Sequence, residues 1–132
     1  MQISDETKKL LQAMTIACYP KEIGGFLTKD GNFFELTNVS DTPETKFVFD
    51  SAAIDKIRDE IQYIVHSHTQ SVTTHILTPS AEDITAQLAL GIPFLITGYD
   101  GYNYYGPMVL PHEPSSNYLD RTYIYAIQDC FN

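Results

Sequence analysis

The chain has 132 residues, of which 43% are apolar and 19% charged, with nine Tyr and seven Phe. That is the composition of one globular domain burying roughly two-thirds of its unfolded surface, and it excludes a disordered chain. Seventeen acidic against eight basic residues leave a net charge of -9, which repels a phosphate backbone and argues against nucleic acid as a partner. Cys18 and Cys130 are far apart and lack CxxC spacing, so neither a disulfide framework nor a thiolate metal site is expected. Any metal must therefore be held by histidine and carboxylate. Residues 1–6 lack the basic start and apolar core of a signal peptide, and no apolar run reaches bilayer length, so the expectation is a cytosolic chain without a membrane partner.

Ser4 or Asp5 caps an expected helix over residues 5–18, with Leu10, Leu11, Met14, Ile16 and Ala17 as its apolar face and Tyr19-Pro20 as its end. Phe26 to Lys29 and Phe33 to Val39 read as a hairpin joined by Asp30-Gly31-Asn32. Lys46 to Phe49 reads as a further strand. Ser51 to Glu60 carries Ala53, Ile54 and Ile57 at helical spacing, continued by Ile61, with Asp50 or Ser51 as cap. Ile61 to Val65 is a short apolar run that predicts a buried strand emptying into His66-Ser67-His68. Thr78-Pro79 predicts a helix start that runs through Ala86, Leu88, Ala89 and Leu90 and stops at Gly91. The strand Ile92 to Thr97 follows, and Asp100-Gly101 turns into a last aromatic strand, Tyr102 to Tyr105. Pro107, Pro111 and Pro114 with Ser115-Ser116-Asn117 read as a linker. This order predicts an α/β or α+β fold, a mixed sheet flanked by helices.

In an extended segment residues i and i+2 share a face, so His66 and His68 present two ring nitrogens to one point. Taken alone, two histidines near a strand end are equally well surface residues, and Ser80-Ala81-Glu82-Asp83 is a variant of the capping box. Their conjunction with an isolated acid, Glu22, beside Gly24-Gly25 is what suggests a metal centre. Zinc held by three protein ligands keeps a fourth position for water.

The combination of Glu22-Ile23-Gly24-Gly25, His66-Ser67-His68 and Ser80-Ala81-Glu82-Asp83 resembles the JAMM motif of the JAB/MPN metallopeptidases, over about residues 5–106. The resemblance implies the JAB/MPN (cytidine deaminase-like) fold and zinc bound by His66, His68 and Asp83 with water as the fourth ligand. It implies Glu22 as general base and Ser80 as donor to the oxyanion of the tetrahedral intermediate. Eleven residues, Thr69 to Pro79, separate His68 from Ser80, more than is usual in the family. That loop introduces His75 as a candidate fourth ligand, which would make the site structural or self-inhibited. Glu82 is the other carboxylate at the helix start, but Asp83 fits the pattern.

Residues 117–132, N-Y-L-D-R-T-Y-I-Y-A-I-Q-D-C-F-N, resemble the opening of NlpC-type cysteine peptidases. A JAB/MPN domain followed by such a peptidase is similar to phage tail assembly proteins of the lambda K type. The implied organisation is a metallopeptidase domain over 1–106, a Pro-rich linker over 107–118 and the start of a truncated cysteine peptidase over 119–132, with Cys130 at the nucleophile position. The implied partners are other tail proteins and a peptide substrate, either a tail component or cell-wall peptide, in the host cytoplasm during assembly or in the virion tail. A non-catalytic JAB/MPN module in tail assembly and a processor of ubiquitin-like carriers are the two alternatives. Tyr99, Tyr102, Tyr104 and Tyr105 form a candidate docking surface, weighed against an ordinary half-buried strand.

Overall fold

The computed structural model describes residues 3–69 and 77–109. The elements are α1 (Asp5–Cys18), β1 (Gly24–Thr28), β2 (Phe33–Leu36), α2 (Ala52–Asp55), a 3₁₀ turn (Arg58–Glu60), β3 (Ile61–His68), α3 (Ala81–Leu90), β4 (Phe94–Tyr99) and β5 (Tyr104–Val109). The five strands form one sheet in the order β2-β1-β3-β4-β5. β3 and β4 are parallel, joined through α3, and the other neighbours are antiparallel. The fold is therefore mixed α+β around a mixed sheet. No helix among the described residues is long and apolar enough to cross a membrane.

Strand alternation divides the core into two layers. Ile64, Ile96, Phe94 and Met108 face α2 and α3, with Ile54 and Leu77 closing that layer. Tyr63, Val65 and Leu95 face the other way with Leu27, against Leu11 of α1 and Ile3. Each fully buried aliphatic side chain here contributes about 1.5–3 kcal/mol through removal from water.

Ser4 caps α1 by accepting from the Thr7 amide, and Asp5 and Glu6 complement the helix dipole. The buried stripe of α1 differs from expectation. It is Thr7, Leu11 and Thr15, while Leu10 and Ile16 are exposed. Polar groups on the sheet account for this: the Thr15 hydroxyl donates to the Leu11 carbonyl at 2.6 Å and lies 3.1 Å from the Thr97 hydroxyl.

Four further expectations are corrected. The helix anticipated over Ser51–Glu60 is only Ala52–Asp55, followed by the 3₁₀ turn, because the Arg58 guanidinium reaches across to the Leu90 carbonyl and fixes the chain there. Lys46–Phe49 is not a strand; a single main-chain bond, Val39 N–H to Val48 C=O at 2.8 Å, closes it against residue 39. Helix α3 starts at Ser80 rather than at Thr78-Pro79, since the Ser80 and Asp83 side chains form a complete capping box. β5 runs on to Val109 with Pro107 fully buried, so residues 107–109 belong to the sheet and not to a linker. The remaining expectations for 110–118 and 119–132, Cys130 included, lie outside the described residues.

Candidate metal centre

β3 runs to His68 and so carries both histidines inside the strand, beyond the apolar run that ends at Val65. His66 and His68 share the face toward α3, and Ser67 between them faces α1. Opposite Ser67, at the same level of the sheet, stands Thr97. Leu77, 1% exposed, anchors the returning chain in the core just before α3, so the start of α3 is brought over the end of β3.

Asp83, in the first turn of α3, meets both rings. Its Oδ1 is 2.9 Å from His66 Nε2, and its Oδ2 is 3.1 Å from His68 Nε2. One ligand atom from each of His66, His68 and Asp83 lies within 4.8 Å of the others. Glu82, by contrast, is exposed and pairs with Lys46 at 3.4 Å, so of the two carboxylates it is Asp83 that meets the rings. His75 lies outside the described residues.

The capping box and the candidate ligand set share one carboxylate. The Ser80 amide donates to Asp83 Oδ2 at 2.8 Å, and the Asp83 amide donates to the Ser80 hydroxyl oxygen at 3.0 Å. The first bond fixes the orientation of Asp83 from outside the ligand cluster. The second uses an acceptor lone pair of Ser80 and leaves its O–H for donation.

His66 is 4% exposed and Glu22 5%. The ring of His66 lies between two aromatics, nearly parallel to Phe47 at 5° and 6.2 Å, and edge-on to Phe94 at 83° and 5.8 Å. Its Nδ1 is 3.7 Å from the Glu22 carboxylate and 3.4 Å from the Ser67 carbonyl. Its Nε2 is fully buried without an aligned hydrogen bond, although Asp83 is close. A buried ring nitrogen and a carboxylate oxygen at 2.9 Å attract each other as an ion pair, and the same two atoms can both be directed at a cation. The donor set, two imidazoles and one carboxylate, suits a borderline-soft divalent ion such as zinc.

Without a metal, burial pushes the His66 imidazole down, but the Asp83 and Glu22 carboxylates outweigh it and hold it at about 10. Burial likewise pushes Asp83 up, and the two imidazoles overcome this and hold it well below the usual carboxylate range. Opposite charges packed out of water account for both shifts.

Three contributors to the site were not picked out in the sequence. Phe47 packs against Gly24, where an added Cβ would meet its Cζ at 2.5 Å. Ser67 accepts from the Ile23 amide at 2.8 Å and donates its own amide to the Ile23 carbonyl at 2.8 Å. Asn38 bonds to the Glu22 carbonyl. The only sequence signal for Phe47 is the bare Gly24-Gly25 pair. The tyrosines disperse: Tyr99 meets Tyr19 edge-on at 5.1 Å, Tyr105 donates to Asp100, and Tyr102 is exposed at the turn.

Comparison of the chain with protein families, with curated proteins and with solved structures returned no match.

Proposed function

We propose that the chain is a zinc-dependent peptidase or isopeptidase domain of the JAB/MPN type. The observation that carries the reading is the separation of two carboxylates around one ring: Asp83 faces Nε2 of His66 within the three-residue cluster, while buried Glu22 faces Nδ1 and stands outside that cluster. This separation supports a division of roles in which Asp83 serves the metal and Glu22 the proton transfer.

In this reading His66, His68 and Asp83 hold the ion. When bound, zinc supplies Lewis-acid chemistry, acidifying a water and polarising a carbonyl. Glu22 takes a proton from the attacking water as its oxygen bonds to the carbonyl carbon. The Ser80 hydroxyl donates to the oxygen that gains charge. As the C–N bond breaks, Glu22 returns the proton to the leaving amine, so the products are a carboxylic acid and a free amine.

The substrate class rests on the carboxy-terminal resemblance, which favours a tail protein or a cell-wall peptide over a carrier fusion. Incubating the zinc-loaded chain with all three decides among them. Glu22→Gln keeps the size of the side chain and removes its basicity, so it should retain zinc and lower cleavage by about 10²- to 10⁴-fold. Cleavage that persists in this variant refutes the role given to Glu22. A wild-type chain that binds zinc and cleaves none of the three favours the non-catalytic module.

A further inference from the structure

Glu22 precedes β1, so the sheet ladder does not hold it. Its main chain is held from elsewhere. The Glu22 amide donates to the Pro43 carbonyl at 2.7 Å, and the Glu22 carbonyl accepts from Asn38 Nδ2 at 3.0 Å. The next residue, Ile23, is gripped at both its amide and its carbonyl by Ser67. All four main-chain polar groups of Glu22 and Ile23 are therefore engaged, two by β3 and two by the segment of residues 38–48.

That segment is organised around Asn38. A side-chain amide offers two N–H donors and two acceptor lone pairs, and Asn38 uses all four. Nδ2 donates to the carbonyls of Glu22 at 3.0 Å and Lys46 at 2.9 Å, and Oδ1 accepts from the amides of Ser40 at 3.1 Å and Val48 at 3.2 Å. Two carbonyls on one side and two amides on the other fix which end is nitrogen. The segment so closed also brings Phe47 against His66, offers the Glu44 carbonyl to the Thr69 hydroxyl at 3.2 Å, and places Lys46 near Glu82.

We propose that Asn38 is a positioning residue for Glu22, tying its main chain to a closed loop and so holding its carboxylate against His66. Asn38 touches none of the three candidate ligands. Its consequence for catalysis rests on the reading of Glu22 as general base, while its structural effect does not.

The test uses the full chain loaded with zinc, with Asn38→Asp and Asn38→Ala. Asp keeps both acceptor bonds and loses both donations, so it removes the tie to Glu22 while leaving Ser40 and Val48 partnered; it also keeps the test open if the Ala variant fails to fold. Crystal structures of the loaded variants should show the Glu22 carboxylate out of its contact with His66, hydrogen exchange at the Glu22 amide should accelerate about tenfold or more, and zinc content should match wild type. Where the wild type cleaves a substrate, kcat should fall about 10- to 100-fold with KM unchanged. A Glu22 carboxylate still in place in Asn38→Asp overturns the proposal, as does zinc loss with the carboxylate undisturbed. Should the wild type cleave nothing, the base role fails on its own, and the crystallographic and exchange readouts still decide on Asn38.

Discussion

The ring of Phe47 occupies the space where a side chain on Gly24 would stand. A Cβ at that position would lie 2.5 Å from the Phe47 ring and 2.6 Å from the Val65 carbonyl oxygen. The same ring lies flat beside His66, so the absence of a side chain at Gly24 shapes one wall of the candidate site.

Gly24→Ala should therefore destabilise the protein by about 1–3 kcal/mol, the usual range for overpacking. Urea unfolding measures it. Adding Phe47→Leu should recover part of the loss and leave the part due to the Val65 carbonyl. Additivity of the two changes to within about 0.5 kcal/mol would show that the rings and the glycine are not coupled.

Zinc removal should lower the melting temperature, because ligands from β3 and α3 meet only in the native state. His68→Ala and Asp83→Ala should each lose the ion in elemental analysis. Ser80→Ala should keep it at a cost of about 1 kcal/mol, since the bond that orients Asp83 comes from the Ser80 main chain. An unchanged melt in chelator with verified metal loss counts against this account.

The metal-free protein should show a defined pH dependence. His66 is raised from 6.5 to about 10, so its contribution is complete below 6.5 and is lost as pH climbs through about 10. Asp83 is depressed from 3.8, so its contribution is present above 3.8 and is lost as pH falls further. The pair thus stabilises most between 3.8 and 6.5. The zinc-loaded protein should instead gain stability on the acid side, from about pH 5 to about pH 7, as protons cease to compete for the rings, a range over most of which the metal-free pair is unchanged. Urea midpoints with chelator and with zinc, compared across pH, check the crossing.

Ser67→Ala should cost about 1–3 kcal/mol, because the Ile23 amide loses its buried acceptor. Ser67→Thr should retain most of that stability by keeping the hydroxyl. A neutral Ala variant in thermal unfolding would show that this bond is replaced by another.

Much of the site was legible because its signals are local. The two-residue period of β3 put His66 and His68 on one face, and Ser80 with Asp83 carries the capping-box spacing whatever else it does. The reading failed where long-range contacts decide. Ile54, Ile57 and Ile61 have helical spacing, but the chain leaves the helix after Asp55, and the bond from Arg58 to Leu90 spans two elements. Phe47 and Val48 have strand-like residue types, yet the side chain of Asn38 organises their segment instead of a ladder. Nothing in the spacing of Asn38 from Glu22 announces four simultaneous hydrogen bonds.

Because the two imidazoles sit inside a strand, the interval between them is measured out by backbone paired on both sides rather than by a loop. Deleting a single residue between Ile61 and Val65 would reverse the facing of everything after it: both bases would turn into the layer beneath α1, and the hydroxyl of Ser67 would be left facing Asp83 in their place. The strand accordingly admits no single-residue insertion or deletion ahead of the histidines without turning both rings away from Asp83.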